Sequence, residues 1–218
     1  MSRIVLKIGG GVAANAADLV ATLAAENEVC VVHGAGPQIT EEMRRRGIEV
    51  RFVGGRRVTT AVGLEVVRES LAAVNAALCS AIGPRAVSLS EVLDADRVPA
   101  LGYVGTPIPS APPAIESALA TGRVPVVAPL AAGPLNVNAD AAAAALAIGL
   151  GADRLLFLTD VPGLLLGGAV AATIGSGEAS RLLDAGAFEG GIVPKLRAAV
   201  EAARGGVRAE IGATAVLA

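Results

Sequence analysis

IVLKIGGG at residues 4–11 and VCVVHGAGP at residues 29–37 decide the fold between them. Each is a short apolar run that stops at a cluster of glycines, the composition of a buried strand feeding a tight turn. Between the two, Ala13 to Glu26 has helical composition and enough length to cross back over a sheet, and a further helix is predicted over Gln38 to Arg46. Strand, glycine turn, helix, strand is the grammar of a parallel βαβ unit. It places both glycine loops at the carboxyl ends of neighbouring strands, where α/β proteins bind ligands.

Working outward, the same alternation continues. Gly47 to Val53 reads as edge structure, GGRRVTT (54–60) as a loop and Ala61 to Ile82 as a long helix. In that helix Val62, Val66, Leu71 and Val74 sit near helical spacing, a stripe that can serve a partner subunit as well as the core. Arg85 to Leu89 reads as a strand, Leu101 to Pro113 as irregular because it is rich in Gly and Pro, and Ile115 to Thr121 as a short helix. Val124 to Pro129 reads as a strand, Pro134 to Asp140 as a polar loop, Ala141 to Leu150 as an alanine helix and Arg154 to Leu158 as a strong strand. Helices over Glu178 to Ala185 and Leu196 to Arg204 and one or two terminal strands over Arg208 to Ala218 complete the pattern. The expectation is a three-layer αβα sandwich around an open, mainly parallel sheet. A soft boundary near Ala131 to Leu135 divides it into lobes 1–130 and 131–218.

Composition narrows the function. The 218 residues carry 18 Lys and Arg against 20 Asp and Glu, and only three Phe, one Tyr and no Trp. No basic field or aromatic interleaving speaks for nucleic acid. Arg44, Arg45 and Arg46 read as a solvated helix face. Cys30 and Cys79 lie in apolar stretches without metal-ligand spacing, as buried free thiols do. The opening MSRIVLKIGGG leaves no room for a signal peptide, and the run 141–150 is too short for a bilayer, so a cytoplasmic location is expected.

A lysine inside a buried strand needs an anion, and Lys7 stands directly before three glycines whose amides can approach phosphate closely. Gly34-Ala35-Gly36-Pro37 precedes a helix and offers further N–H groups, although neither loop is a Walker motif or a dinucleotide fingerprint. Either Arg56 or Arg57 can grip a carboxylate through a planar contact, and the local sequence does not choose between them. Asn136, Asn138 and Asp140 alternate, so in extended backbone they share a face; Asp140 can alternatively be a helix N-cap. Asp160 follows a strong strand. Lys195 sits near a helix start, where the dipole disfavours a cation unless an anion is close. His33 can fix its turn by hydrogen bonds or move protons.

KIGGG (7–11), VVHGAGPQI (31–39), GRRVT (55–59), LGYVG (101–105), NVNAD (136–140), LTDVPG (158–163) and GGIVPK (190–195), taken in order, resemble the acetylglutamate kinases of the amino acid kinase family. The resemblance implies acyl amino acid binding and dimerisation by the N-terminal lobe and ATP binding by the C-terminal lobe. It implies that Lys7 and Lys195 stabilise the transferring phosphoryl group and that Asp140 organises the lysines. Ala35 and Gly36 would line the acceptor site, with Arg57 and Asn136 on the α-carboxylate. Gly9, Gly10 and Gly34 would supply backbone contacts to the nucleotide. Asp160, Val161, Pro162, Gly163, Leu164 and Leu165, with Ala187, Phe188 and Glu189, would form the nucleotide pocket.

The activity implied is ATP-dependent phosphorylation of the side-chain carboxylate of N-acetyl-L-glutamate, with Mg²⁺ carried on the nucleotide phosphates and no protein metal site. Such a carboxylate is already ionised at neutral pH and needs no general base. A homodimer without arginine inhibition is expected. The alternatives are a related kinase acting on carrier-bound aminoadipate or another small acid, and an inactive small-molecule-binding homologue. Relative to the family pattern, Ala35 replaces a glycine, 86–100 lacks a glycine-rich hairpin, the connection after Gly163 is trimmed and 208–218 omits a helix, a loss that can expose core or weaken nucleotide binding.

Overall fold

The computed structural model describes residues 1–9 and 16–218. In chain order the elements are β1 (Arg3–Ile8), α1 (Ala16–Ala24), β2 (Glu28–His33), α2 (Gly36–Arg45), β3 (Phe52–Val53), β4 (Arg56–Arg57), α3 (Ala61–Ile82), β5 (Ala86–Leu89), β6 (Ala95–Arg97), β7 (Val104–Pro107), α4 (Pro113–Ala120) and β8 (Val124–Val127). They continue with β9 (Leu130–Ala131), β10 (Leu135–Val137), α5 (Ala139–Gly149), β11 (Arg154–Leu158), β12 (Leu165–Leu166), β13 (Ala169–Val170), β14 (Thr173–Gly175), α6 (Ser176–Asp184), α7 (Ile192–Arg204), β15 (Arg208–Ile211) and β16 (Thr214–Leu217).

Eight strands form the central sheet in the order β14-β16-β15-β11-β1-β2-β8-β5. Every neighbouring pair is parallel except the terminal β15–β16 hairpin. The αβα sandwich expected from the alternation is therefore present. From β1 the chain builds one flank through β2, β8 and β5, and the other through β11 and β15. That makes the carboxyl end of β1 a topological switch point, where α/β sheets open a crevice.

The two faces of β1 explain the site. Leu6 and Ile8 join the core beneath α1 and α3, whereas Val5 joins the core shared with α4, α5, α6 and α7. Side chains alternate along a strand, so Lys7 follows Val5 to the α5 side. On that side α5 packs through Ala142, Ala143, Ala144 and Ala147, all fully buried, and these small side chains let the helix lie close to both the sheet and α7. On β11 and β15 the α1-side face carries Arg154, Arg208 and Glu210, whose carboxylate pairs with both arginines at 2.8 Å. Charge rather than exposed core occupies that part of the face.

Several boundaries differ from the sequence expectation. The stretch 101–113 contains β7, and 134–140 contains β10 followed by the start of α5, so neither is simply a loop. These strands, with β6 and β9, make a second sheet of order β6-β7-β10-β9. Strands of two to four residues present too few alternations to show a period. Helices α2 and α7 begin at Gly36 and Ile192, earlier than expected, because Pro37 and Pro194 fit inside a first turn, where no N–H is required of them. Helix α3 has the expected bounds; within it Val66 and Leu71 are buried and Val62 is exposed.

Candidate active site

Asp140 is not an N-cap. Asn138 caps α5, its side-chain oxygen accepting from the N–H groups of Asp140 at 2.9 Å and Ala141 at 3.0 Å. The cap fixes the first turn of α5 so that Asp140 faces β1, where its Oδ1 lies 2.7 Å from Lys7 Nζ. Lys7 and Asp140 are only 5% and 6% exposed, a depth at which neither charge is tolerable without the other. Lys195, in the first turn of α7, stands 3.9 Å from Asp140 Oδ2 and donates to Gly191 O at 3.3 Å. Its pKa is lowered, first by burial, with Asp140 and Asp160 opposing and Lys7 adding to the shift. Two ammonium groups thus converge on one carboxylate, an excess of positive charge at the carboxyl end of β1.

A second part of the site is built around Arg57, which is buried while Arg56 donates to Thr106 Oγ1 at 2.8 Å. Both arginines border the cavity described below, and of the two Arg57 is buried and Arg56 half-buried. Arg57 Nη2 donates to Gly36 O at 3.2 Å and Thr40 Oγ1 at 2.7 Å, Nη1 approaches Met43 Sδ, and Phe52 stacks on the guanidinium at 4.7 Å. Every one of these partners is neutral. Burial alone lowers the Arg57 pKa, with no carboxylate to offset it. A guanidinium only 8% exposed and held without an anion is poised for a ligand anion. Asn136 on β10 completes this part, donating through Nδ2 to Thr59 Oγ1 at 3.0 Å.

A cavity of about 290 Å³ is lined by Lys7, Gly34, Gly36, Arg56, Arg57, Asn136, Asp140 and Lys195, with Gly9 and Ala35 also on its wall. Its size suits a small acid rather than a whole nucleotide. Ala35 has a negative φ, −141°, so no left-handed backbone is asked of it, and its methyl packs in the cluster with Ile39, Leu71 and Leu130.

Of the residues the resemblance assigns to the nucleotide, Gly9 and Gly34 line this cavity, and those of 160–165 and 187–189 do not. Asp160, Pro162, Leu165, Ala187 and Glu189 are exposed, Val161 and Phe188 are half-buried, and Gly163 and Leu164 are buried. Gly10 lies outside the described residues. The 160–165 segment is tied to the C-terminal hairpin instead: Thr214 Oγ1 accepts from Leu164 N at 2.9 Å and donates to Ala171 O at 2.6 Å, and Ala213 N donates to Pro162 O at 2.8 Å. Gly163, at φ 150°, is required here, since a Cβ would stand 2.7 Å from Thr214 Oγ1.

His33 is fully buried on the α3 side of β2, opposite Lys7, with Nε2 3.0 Å from Asn75 Nδ2, which also donates to Val126 O at 2.8 Å. Burial lowers its pKa to about 4, so it is neutral at pH 7 and fixes the strand end. Asn75, Thr59 and Thr214 do not stand out as individual site residues in the sequence, where nothing local marks a threonine or asparagine whose partner is far along the chain. Among the described residues no group of three or more His, Cys, Asp or Glu could hold a metal ion, and no helix is long and apolar enough to cross a membrane.

The chain is 43% identical to the acetylglutamate kinase of Rubrobacter xylanophilus over 97% of its own length and 88% of that protein. It is 36% identical to the acetylglutamate kinase of Pelotomaculum thermopropionicum, covering 82% of this chain and 70% of that one. The crystal structure of smu.665 from Streptococcus mutans UA159 superposes with a TM-score of 0.90 at 28% identity, over 99% of this chain and 98% of that one. Residues 2–212 match the model of the amino acid kinase family, and the chain belongs to that family.

Proposed function

We propose that this protein transfers the γ-phosphoryl group of ATP to the side-chain carboxylate of N-acetyl-L-glutamate, forming an acyl phosphate. The observation that carries the reading is one cavity whose wall holds both a buried guanidinium without an anion and two lysines sharing one carboxylate. A dicarboxylate spans such a cavity naturally. Arg57 and Asn136 hold the α-carboxylate, and the distal carboxylate points towards Lys7. The names of the similar proteins support the acceptor.

In the transfer, a carboxylate oxygen bonds to phosphorus as the bond to the ADP oxygen breaks, and no proton needs to be removed first. Asp140 keeps both ammonium groups aimed at the reacting centre. Lys7 and Lys195 then meet charge on the moving phosphoryl group without reorganisation, which is where fixed charges lower a barrier most. Gly9 and Gly34 are on the cavity wall, where the absence of side chains leaves room for phosphate oxygens; the Gly34 N–H itself donates to Ile8 O at 3.0 Å. Magnesium carried on the nucleotide phosphates supplies further neutralisation. Residues 1–130 then form mainly the acceptor side and 131–218 mainly the nucleotide side, with Asn136 crossing from the second to the first. The exposed part of α3, including Val62, is the face assigned to a homodimer.

The test is ADP release with ATP and Mg²⁺ over N-acetylglutamate, glutamate, aspartate and phosphate monoesters. Turnover with the acetylated acid alone is expected. In Arg57→Gln its KM should rise on the order of 100-fold, as for loss of charge-assisted hydrogen bonds of about 3 kcal/mol, with the KM for ATP unchanged. Equal turnover of free glutamate would reject the acceptor assignment.

A further inference from the structure

Thr59 stands where the β3–β4 hairpin rejoins the body of the protein and is fully buried. Its backbone is pinned independently of its side chain: Thr59 N donates to Leu101 O at 3.0 Å and Tyr103 N donates to Thr59 O at 2.8 Å. Gly102 makes this approach possible, because at φ 83° a Cβ would lie 2.3 Å from Thr59 O. The side chain is therefore free to do something other than hold the strand in place.

The hydroxyl has two polar neighbours, Arg57 O at 2.9 Å and the Asn136 amide at 3.0 Å. A carbonyl only accepts, so the single hydroxyl proton is committed to Arg57. Thr59 Oγ1 can then only accept from Asn136, and Asn136 must turn its NH₂ group, not its carbonyl, towards Thr59. An asparagine amide looks nearly the same either way round, and it is the surrounding donors and acceptors that decide its orientation.

We propose that Thr59 is a positioning residue for the acceptor. It fixes the amide of Asn136 in one of its two orientations and joins that amide to the backbone of Arg57, so that the two groups assigned to the acceptor carboxylate move as a unit. The proposal rests on the assignment of Arg57 and Asn136 to the acceptor. With one N–H committed to Thr59, Asn136 retains one N–H donor and one carbonyl acceptor for the ligand. A flipped amide would present the reverse order.

Thr59→Val keeps the shape and removes the hydroxyl; Thr59→Ser keeps the hydroxyl and removes a methyl. In Thr59→Val the acceptor KM should rise about 10-fold, the typical cost of leaving buried polar partners unmatched, with kcat and the KM for ATP within about two-fold of the parent protein. Thr59→Ser should restore the acceptor KM to within about two-fold. A purely structural role would move both KM values together, and that result, or an unchanged acceptor KM in Thr59→Val, overturns the proposal.

A second measurement stands apart from acceptor identity. In the NMR spectrum of the protein without ligand, one side-chain N–H of Asn136 should resist solvent exchange in the parent and Ser proteins, and neither should in the Val protein. Persistence of the protected N–H in Thr59→Val rejects the proposal even if N-acetylglutamate turns out not to be the acceptor. Loss of that protection together with inactivity towards N-acetylglutamate rejects only the assigned acceptor.

Discussion

Lys7, Arg57, Thr59 and Asp140 around the cavity are all buried, whereas Asp160, Leu165, Ala187 and Glu189 on the neighbouring loops are all exposed. The two regions are also held differently. The cavity is fixed by side chains that meet side chains: Lys7 with Asp140, Arg57 with Thr40 and Phe52, Asn136 with Thr59. The 160–171 segment is fixed mainly through its backbone, by Thr214 and by the turn at Ala213. Burial makes the first region intolerant, since an unpaired charge there costs several kcal/mol. The second can present main-chain groups while its side chains vary.

The sharpest way to break this contrast is to remove charge from each side of Asp140. Lys7 is the buried, close partner and Lys195 the more exposed and distant one. Lys7→Ala is expected to lower kcat by on the order of 10³ and Lys195→Ala by on the order of 10², the range for loss of one fixed group facing transition-state charge. Single-turnover rates at saturating substrates check the order. The lowered pKa of Lys195 means that it gives up its proton below the free-lysine value of 10.5 as pH rises. An alkaline fall in kcat below that pH should therefore disappear in Lys195→Arg. Equal effects of the two alanine variants would show that exposure does not separate the two lysines.

How legible these regions are in the sequence follows the same division. Lys7 is visible because a lysine in an apolar strand is anomalous, and Asp140 because NVNAD alternates before a helix. The helix 61–82 is visible because its pattern is long, and the strand 154–158 because four of its five residues are apolar. Which of Arg56 and Arg57 is the more buried is not, since it depends on which face of the hairpin 52–57 turns inward. Nor are Thr59 and Thr214, whose hydroxyl partners lie 77 and 50 residues away. Strands β6, β7, β9 and β10 are too short to carry a period and exist through pairing with one another. Sequence reports what a residue cannot tolerate; it reports less well what a small polar residue will find.

His33 tests whether the buried side is also the pH-sensitive one. Its folded pKa, near 4, lies below the ordinary value of 6.5 because burial penalises the imidazolium. The unfolded chain therefore takes up a proton first as pH falls. The stability this neutral histidine preserves is complete above about pH 6.5 and is lost progressively towards pH 4. Between pH 7 and pH 5 the loss amounts to about 2 kcal/mol, accumulating at about 1.4 kcal/mol per pH unit wherever only the unfolded chain is protonated. Urea unfolding at the two pH values, compared between the parent protein and His33→Gln, isolates this contribution from the carboxylates common to both. The variant should be less stable at pH 7 but show a shallower dependence. Parallel slopes would mean that His33 has an ordinary pKa and that its burial does not penalise the charge.

The smallest effect is expected where backbone does the holding. Thr214 Oγ1 both accepts from Leu164 N and donates to Ala171 O, closing the 164–171 segment across the hairpin β12–β13. Replacing it with valine keeps the shape and leaves two backbone groups without their partner, a cost of about 1 kcal/mol once water and neighbouring groups compensate. If the segment receives the nucleotide, Thr214→Val should raise the KM for ATP about five-fold, leave the acceptor KM unchanged, and be reversed by Thr214→Ser. This is the mirror image of the split expected for Thr59. A rise in the acceptor KM instead would show that the two regions are coupled through the sheet. An unchanged KM for ATP with a lowered melting temperature would make Thr214 a fold residue alone.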